Sequence, residues 1–88
     1  MQSVWITGAS SGIGEACACR YAAQGDRLIL TSSSAGRLEK VAERCRALGA
    51  SSVTVLAYDL SCTDAIDMLV ESAWAAYGSI DILMLNAG

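Results

Sequence analysis

Between the apolar run Val4–Thr7 and a helical pattern that opens at Ile13 lies the octet T-G-A-S-S-G-I-G, residues 7–14. Glycine weakens strands and helices alike, so a junction holding Gly8, Gly12 and Gly14 serves something other than its own stability. Each glycine has a physical task. Gly8 permits a sharp turn off the strand, where a Cβ would clash. Gly12 lets the backbone approach an anionic group closely, with Ile13 and its neighbours offering N–H groups. Gly14 lets the helix sit tightly on a sheet. A helix N-terminus has free donors and a partial positive charge, so it holds a phosphate without a lysine. The spacing is G-x-x-x-G-x-G. It is not the G-x-x-x-x-G-K-[ST] loop, since Ile13 follows Gly12, nor the G-x-G-x-x-G fingerprint. A plain tight turn is the competing explanation.

Three further runs have strand length: Leu28–Thr31, Val53–Tyr58 and Ile80–Leu85. They are rich in Val, Ile and Leu without strict alternation, as parallel strands covered on both faces are. Three helical patterns separate the four runs. In the first, Ile13, Cys17 and Tyr21 recur every four residues and Gly25 ends it. In the second, Leu38, Val41, Ala42, Cys45 and Leu48 make one stripe before Gly49. The third sets Ile66, Leu69, Val70, Ala73 and Tyr77 on one face, with Ser61 and Asp64 as a capping box and Gly78 as the stop. The order β-α-β-α-β-α-β implies a parallel sheet with right-handed crossovers. The expectation is an α/β, three-layer αβα arrangement over residues 1–88, with strand order 3-2-1-4. The first two helices then lie on one face and the third on the other.

Composition narrows the function. The chain of 88 residues is 53% hydrophobic, more apolar than so short a length can cover. Its six basic residues alternate with Glu39 and Glu43 along one helix and its approach, which reads as a solvated face and argues against nucleic acid. No apolar run reaches the roughly 18 residues of a membrane span, and no leader pattern opens the chain. The expectation is a cytoplasmic protein with no membrane partner. Cys17, Cys19, Cys45 and Cys62 show no C-x-x-C spacing and histidine is absent, so reduced thiols are expected and a zinc site is not.

The octet, followed by D-L at Asp59–Leu60 and N-A-G at Asn86–Gly88, resembles the successive nucleotide-side motifs of the short-chain dehydrogenase/reductase family, in family order and at family spacing. The opening V-W-I-T-G-A-S-S-G-I-G-E is similar to members near the mammalian dehydrogenase/reductase 7 group. The resemblance covers the whole chain. It implies a Rossmann-type fold that binds NADP(H) or NAD(H), acts on a small carbonyl or alcohol substrate, and assembles as dimers or tetramers. It further implies that Gly8, Ser10, Ser11, Gly12, Ile13 and Gly14 surround the pyrophosphate and adjoining ribose. Asp59 would accept from the adenine amino group with Leu60 beside the ring; the competing reading of Asp59 is a turn residue before a helix. Asn86 would tie the fourth strand to its neighbours while Ala87 and Gly88 pass close to the ribose. Leu85 stands where the family pattern has a first asparagine.

Cofactor choice is legible after the second strand. An NAD-preferring protein places Asp or Glu there, whereas this chain has T-S-S-S-A-G-R. Ser32, Ser33 and Ser34 can donate to a 2′-phosphate and Arg37 can reach it, which leans the choice to NADP(H). The family's arginine at the Ser33 position is missing.

In the family a tyrosine four residues before a lysine moves the proton. Four residues after Tyr21, Tyr58 and Tyr77 stand Gly25, Cys62 and Asp81, and Lys40 is the only lysine. The expectation is the cofactor-binding half of an oxidoreductase, a truncated product or fragment that is inactive by itself. A non-catalytic nucleotide-binding or regulatory module is the alternative. Asp81 reads as structural. The fourth strand, with one side unpaired, apolar and free of proline and lysine, is expected to promote association.

Overall fold

The computed structural model describes residues 1–10, 12–57 and 63–85, apart from the side chains of 63–66 and 69. The elements run β1 (Ser3–Thr7), α1 (Gly12–Ala23), β2 (Arg27–Ser32), α2 (Ala35–Leu48), β3 (Ser52–Ala57), α3 (Thr63–Tyr77) and β4 (Ile82–Met84). The sheet is parallel throughout, in the order β3-β2-β1-β4, as the alternating pattern requires. The fourth strand is shorter than the apolar run Ile80–Leu85 because only Ile82–Met84 pair with β1. The capping-box residue Ser61 lies outside the described residues.

Strand register turns the apolar runs into rows. Ile82, Val4, Leu28 and Val53 align across the sheet, and so do Met84, Ile6, Leu30 and Val55. Both rows pack against α1 and α2 in one core that includes Ala18, Ala22, Leu38, Val41, Ala42 and Cys45. The intervening row of Trp5 and Ile29 faces the opposite way and meets Ala73, Ala76 and Tyr77 of α3. Alternate side chains of one strand must point to opposite faces, so α1 and α2 share one face and α3 takes the other. A fully buried Val, Leu or Ile contributes about 1.5–3 kcal/mol. The central strands β1 and β2 carry most such residues.

The first helix corrects the expected stripe. Its buried residues are Gly14, Ala18 and Ala22, while Ile13 is 73% exposed and Cys17 and Tyr21 are only half-buried. Spacing by four is kept, displaced by one residue, because the sheet accepts a close-packed helix whose contact side chains are small. Leu48 also projects outward, beyond the Leu38–Cys45 stripe, and Val70 is exposed on α3. Helices α1 and α2 end alike: Gly25 N donates to the Ala22 carbonyl and Asp26 N to Tyr21, as Gly49 N does to Arg46 and Ala50 N to Cys45. These paired bonds satisfy carbonyls left over at a helix end and turn the chain into the next strand.

Two carboxylates set the start of the central strand. Gln2 N donates to Asp26 Oδ1 at 3.0 Å, and Ser3 N donates to Asp81 Oδ2 at 2.7 Å. Asp81 is therefore structural, and Asp26, which the sequence did not single out, does the same work from the other side. On the α3 face, Trp5 Nε1 donates to Thr31 Oγ1 at 2.8 Å. The Tyr77 hydroxyl donates to the Leu28 carbonyl at 2.8 Å and accepts from Thr54 Oγ1 at 3.0 Å, with the Arg27 guanidinium 5.2 Å from its ring centre. Burial pushes the Cys45 thiol up to about 12, with the Cys19 thiol beside it adding to the shift.

Three outcomes follow from this packing. Tyr77→Phe removes a hydroxyl that bonds a buried-strand carbonyl, and should lower unfolding free energy by about 1–2 kcal/mol in denaturant titrations. Among Cys17, Cys19 and Cys45, the last should be the slowest to react with a thiol reagent below pH 9, since a neutral buried thiol is a poor nucleophile. The β4 edge exposes Leu83 and Leu85, and α3 exposes Trp74. The chain should therefore elute larger than a monomer in size-exclusion chromatography with light scattering, and the Leu83→Lys, Leu85→Lys double variant should shift it toward monomer.

Candidate functional site

All four strands point the same way, so their carboxyl ends share one edge of the sheet. Winding reverses at β1: the chain proceeds from β1 to β2 and β3 on one side, then crosses to β4 on the other. Ligands of open α/β sheets bind in the crevice beyond the carboxyl ends at such a reversal. The glycine octet leaves β1 at this point.

Gly8 turns off the strand at φ 63°, a left-handed conformation that a side chain disfavours. The loop is then fixed to the end of β2 at two places. Ala9 N donates to the Thr31 carbonyl at 3.1 Å, and the Ser10 and Ser32 hydroxyls share a short hydrogen bond. Ser32 Oγ also accepts from Ser34 N at 3.1 Å. Its buried hydroxyl is committed to holding the loop, so of the expected serine donors Ser33 is the exposed one.

Helix α1 begins at Gly12. The amides of a first turn have no acceptor within the helix, and here they open onto the carboxyl edge of the sheet. Gly12 has φ 32°, and a Cβ built on it meets no atom of the described residues within 4 Å. The space beside that backbone is open, as close approach of a pyrophosphate requires. Such a cradle suits an anionic group without a cationic side chain. Gly14 is buried, while the Ile13 side chain points to solvent. Ser11, Asp59, Leu60, Asn86, Ala87 and Gly88 lie outside the described residues.

Beside the loop, an open depression of about 250 Å³ is lined by Ser10, Glu15, Arg37, Lys40 and Val41. It runs between the start of α1 and the first turns of α2. Glu15 accepts from Arg44 at 3.1 Å, forming an ion pair across the two helices. Arg37 and Lys40 have no carboxylate partner among the described residues. Lys40, expected on a solvated helix face, lies three residues from Arg37, a separation that places both on one side of a helix.

Known proteins share this fold. The family model described as short chain dehydrogenase matches residues 2–88. A hydroxysteroid 11-beta-dehydrogenase 1-like protein of Xenopus tropicalis is 41% identical over 83 residues, 94% of this chain and 29% of that protein. An 11-beta-hydroxysteroid dehydrogenase 1A of Arabidopsis thaliana is 45% identical over 85 residues, 97% of this chain and 24% of that protein. The chain thus spans about a quarter of the length of these relatives. Among solved structures, a metagenomic short-chain oxidoreductase in complex with NADP superposes with a TM-score of 0.91 at 38% identity, covering 99% of this chain and 39% of the other. An NAD⁺-bound xylitol dehydrogenase gives 0.91 at 31% identity, covering 99% and 33%. With the parallel 3-2-1-4 sheet and the glycine turn at its reversal point, these matches make the chain a member of the short-chain dehydrogenase family, whose proteins are oxidoreductases with a Rossmann-type fold.

Proposed function

We propose that this chain is the dinucleotide-binding portion of an NAD(P)(H)-dependent oxidoreductase that moves hydride between a nicotinamide and a small carbonyl or alcohol. The observation that carries this reading is the glycine turn at the sheet's reversal point, with the face of Gly12 open and the first-turn amides of α1 beside it. The nicotinamide supplies or accepts the hydride when the nucleotide is bound. The chain's own residues bind and orient. Backbone N–H groups of Gly12, Ile13 and Gly14 stabilise the pyrophosphate through the helix dipole and direct donation. Ser10, held by Ser32, borders the adenosine ribose. Asp59, Leu60 and the Asn86–Gly88 segment are proposed for adenine and ribose by the family resemblance.

NADP(H) is the preferred nucleotide in this reading. A carboxylate after β2 would bond the ribose 2′-hydroxyl and repel a 2′-phosphate, and the residues there are Ser32, Ser33 and Ser34. Similar folds carrying NADP and NAD⁺ support the nucleotide class for both. Proton transfer to the substrate falls to a group these 88 residues do not supply, since no tyrosine precedes a lysine by four.

Titration calorimetry tests the site. Wild type should bind NADP⁺ and AMP, and Gly12→Val should lose both, because its side chain fills the open face and strains a left-handed backbone. Circular dichroism of the variant separates lost binding from lost fold. Equal affinity in a folded variant would remove the loop as the site. The chain alone should not oxidise NADPH in the presence of carbonyl substrates, because general acid catalysis, about 10²–10⁴-fold, is missing; turnover would overturn that part.

A further inference from the structure

We infer that Cys19 of α1 and Cys45 of α2 form an oxidisable dithiol, a modification site at which peroxide closes a disulfide between the two helices. The inference stands apart from the dinucleotide reading, because neither residue belongs to the glycine turn.

Three contacts run up α1 and α2 in step. Glu15 meets Arg44 at 3.1 Å. One turn further along α1, the Cys19 thiol lies within hydrogen-bonding reach of the Cys45 thiol. Further still, Gly49 ends α2 so near the last turn of α1 that a Cβ on it would stand 3.7 Å from the Ala22 carbonyl oxygen. Residues four apart share one side of a helix, so the Glu15–Arg44 pair marks the side of α1 that presents Cys19 to α2. Cys19 packs against the same core cluster that holds Cys45. A disulfide needs close backbones, with α-carbons no more than about 7 Å apart, and this end of the helix pair is where side chains as short as cysteine's can meet.

The two thiols differ in exposure, and the difference orders the chemistry. Cys19 is partly exposed, whereas Cys45 is fully buried. Burial also keeps Cys45 protonated, with its pKa pushed up to about 12, so it is not the first sulfur to react. Peroxide reaches Cys19 and its O–O bond breaks. One oxygen stays on the sulfur as sulfenic acid, and the other leaves as water. The Cys45 sulfur then attacks the Cys19 sulfur. The S–O bond breaks, and the departing hydroxide takes the Cys45 proton as a second water. Peroxide is reduced, and the two sulfurs are together oxidised by two electrons. Contact between the sulfurs makes this second step intramolecular, which offsets the poor nucleophilicity of a neutral thiol. Cys17, two residues from Cys19, falls on a different side of α1.

The test treats the 88-residue chain with hydrogen peroxide under native conditions and reads its intact mass and tryptic peptides. Wild type should become lighter by two hydrogens and regain them with dithiothreitol. Its digest should contain residues 1–20 linked to Cys45–Arg46, the peptides bounded by Arg20, Arg44 and Arg46. Cys17→Ala should close as wild type does, which assigns the bond to Cys19 within residues 1–20. Cys45→Ala should stop at the sulfenic acid, trapped by dimedone on Cys19, and Cys19→Ala should form no linkage to Cys45. The oxidised wild type should melt at a higher temperature than the reduced, because a cross-link restricts the unfolded chain. In guanidinium chloride the preference should disappear, with the four cysteines pairing as a mixture. The wild-type digest decides the matter even if a variant fails to fold. The proposal is overturned if folded wild type gains oxygen at Cys19 without losing two hydrogens, if its disulfide maps to Cys17 or Cys62, or if the only linkage joins two chains.

Discussion

The carboxylates of Asp26 and Asp81 hold the amides of Gln2 and Ser3 at the entry to β1, and much of the remaining structure depends on that anchorage. Each aspartate stands immediately before the strand that flanks β1, Asp26 before β2 and Asp81 before β4. A side chain from each turn therefore locks the central strand against both neighbours at the same level. Register follows from it. Once Ser3 is opposite Arg27 and Val4 opposite Ile82, the rows of Val, Leu and Ile fall into place on the α1–α2 face. A slip of one residue would send every one of those side chains to the wrong layer. With the lower end of the sheet fixed, the upper end is fixed too, and the glycine turn leaves β1 level with the end of β2.

The fold was legible because its signals are redundant. Four apolar runs, three helical stripes and a glycine after each helix pointed to one topology, and no single misplaced residue could alter it. The first helix shows what the signal lacked. Ile13, Cys17 and Tyr21 attract attention because they are large and apolar, yet the sheet took Gly14, Ala18 and Ala22. Hydrophobic periodicity weighs size, whereas close packing of a helix on a sheet selects against it. Ile13 is at the helix mouth, where the backbone is the useful part and the side chain is left in solvent.

The candidate site divides similarly. Its backbone part was readable, since glycine positions and their order along the chain dictate where amides can be presented. Its side-chain part was not. Lys40 and Glu15 are 25 residues apart in sequence, and only the packing of α1 beside α2 brings them to one depression. The Ser10–Ser32 bond is of the same kind, a contact between two polar residues that carry no pattern of their own. Charge spacing on a helix tells which residues share a side, but not what that side faces.

The small-residue seam of α1 has a mechanical consequence. Gly14, Ala18 and Ala22 form one line of contact from the mouth of the helix to its last turn. A helix seated on such a line behaves as a stiff rod with no slack between it and the sheet. Enlarging Ala22, which lies at the end remote from the glycine turn, cannot be absorbed locally. A tilt of the helix in response would be carried to Gly12, where the first-turn amides are presented. The placing of the amides at the glycine turn thus depends on methyl groups as far as three turns away, at Ala18 and Ala22.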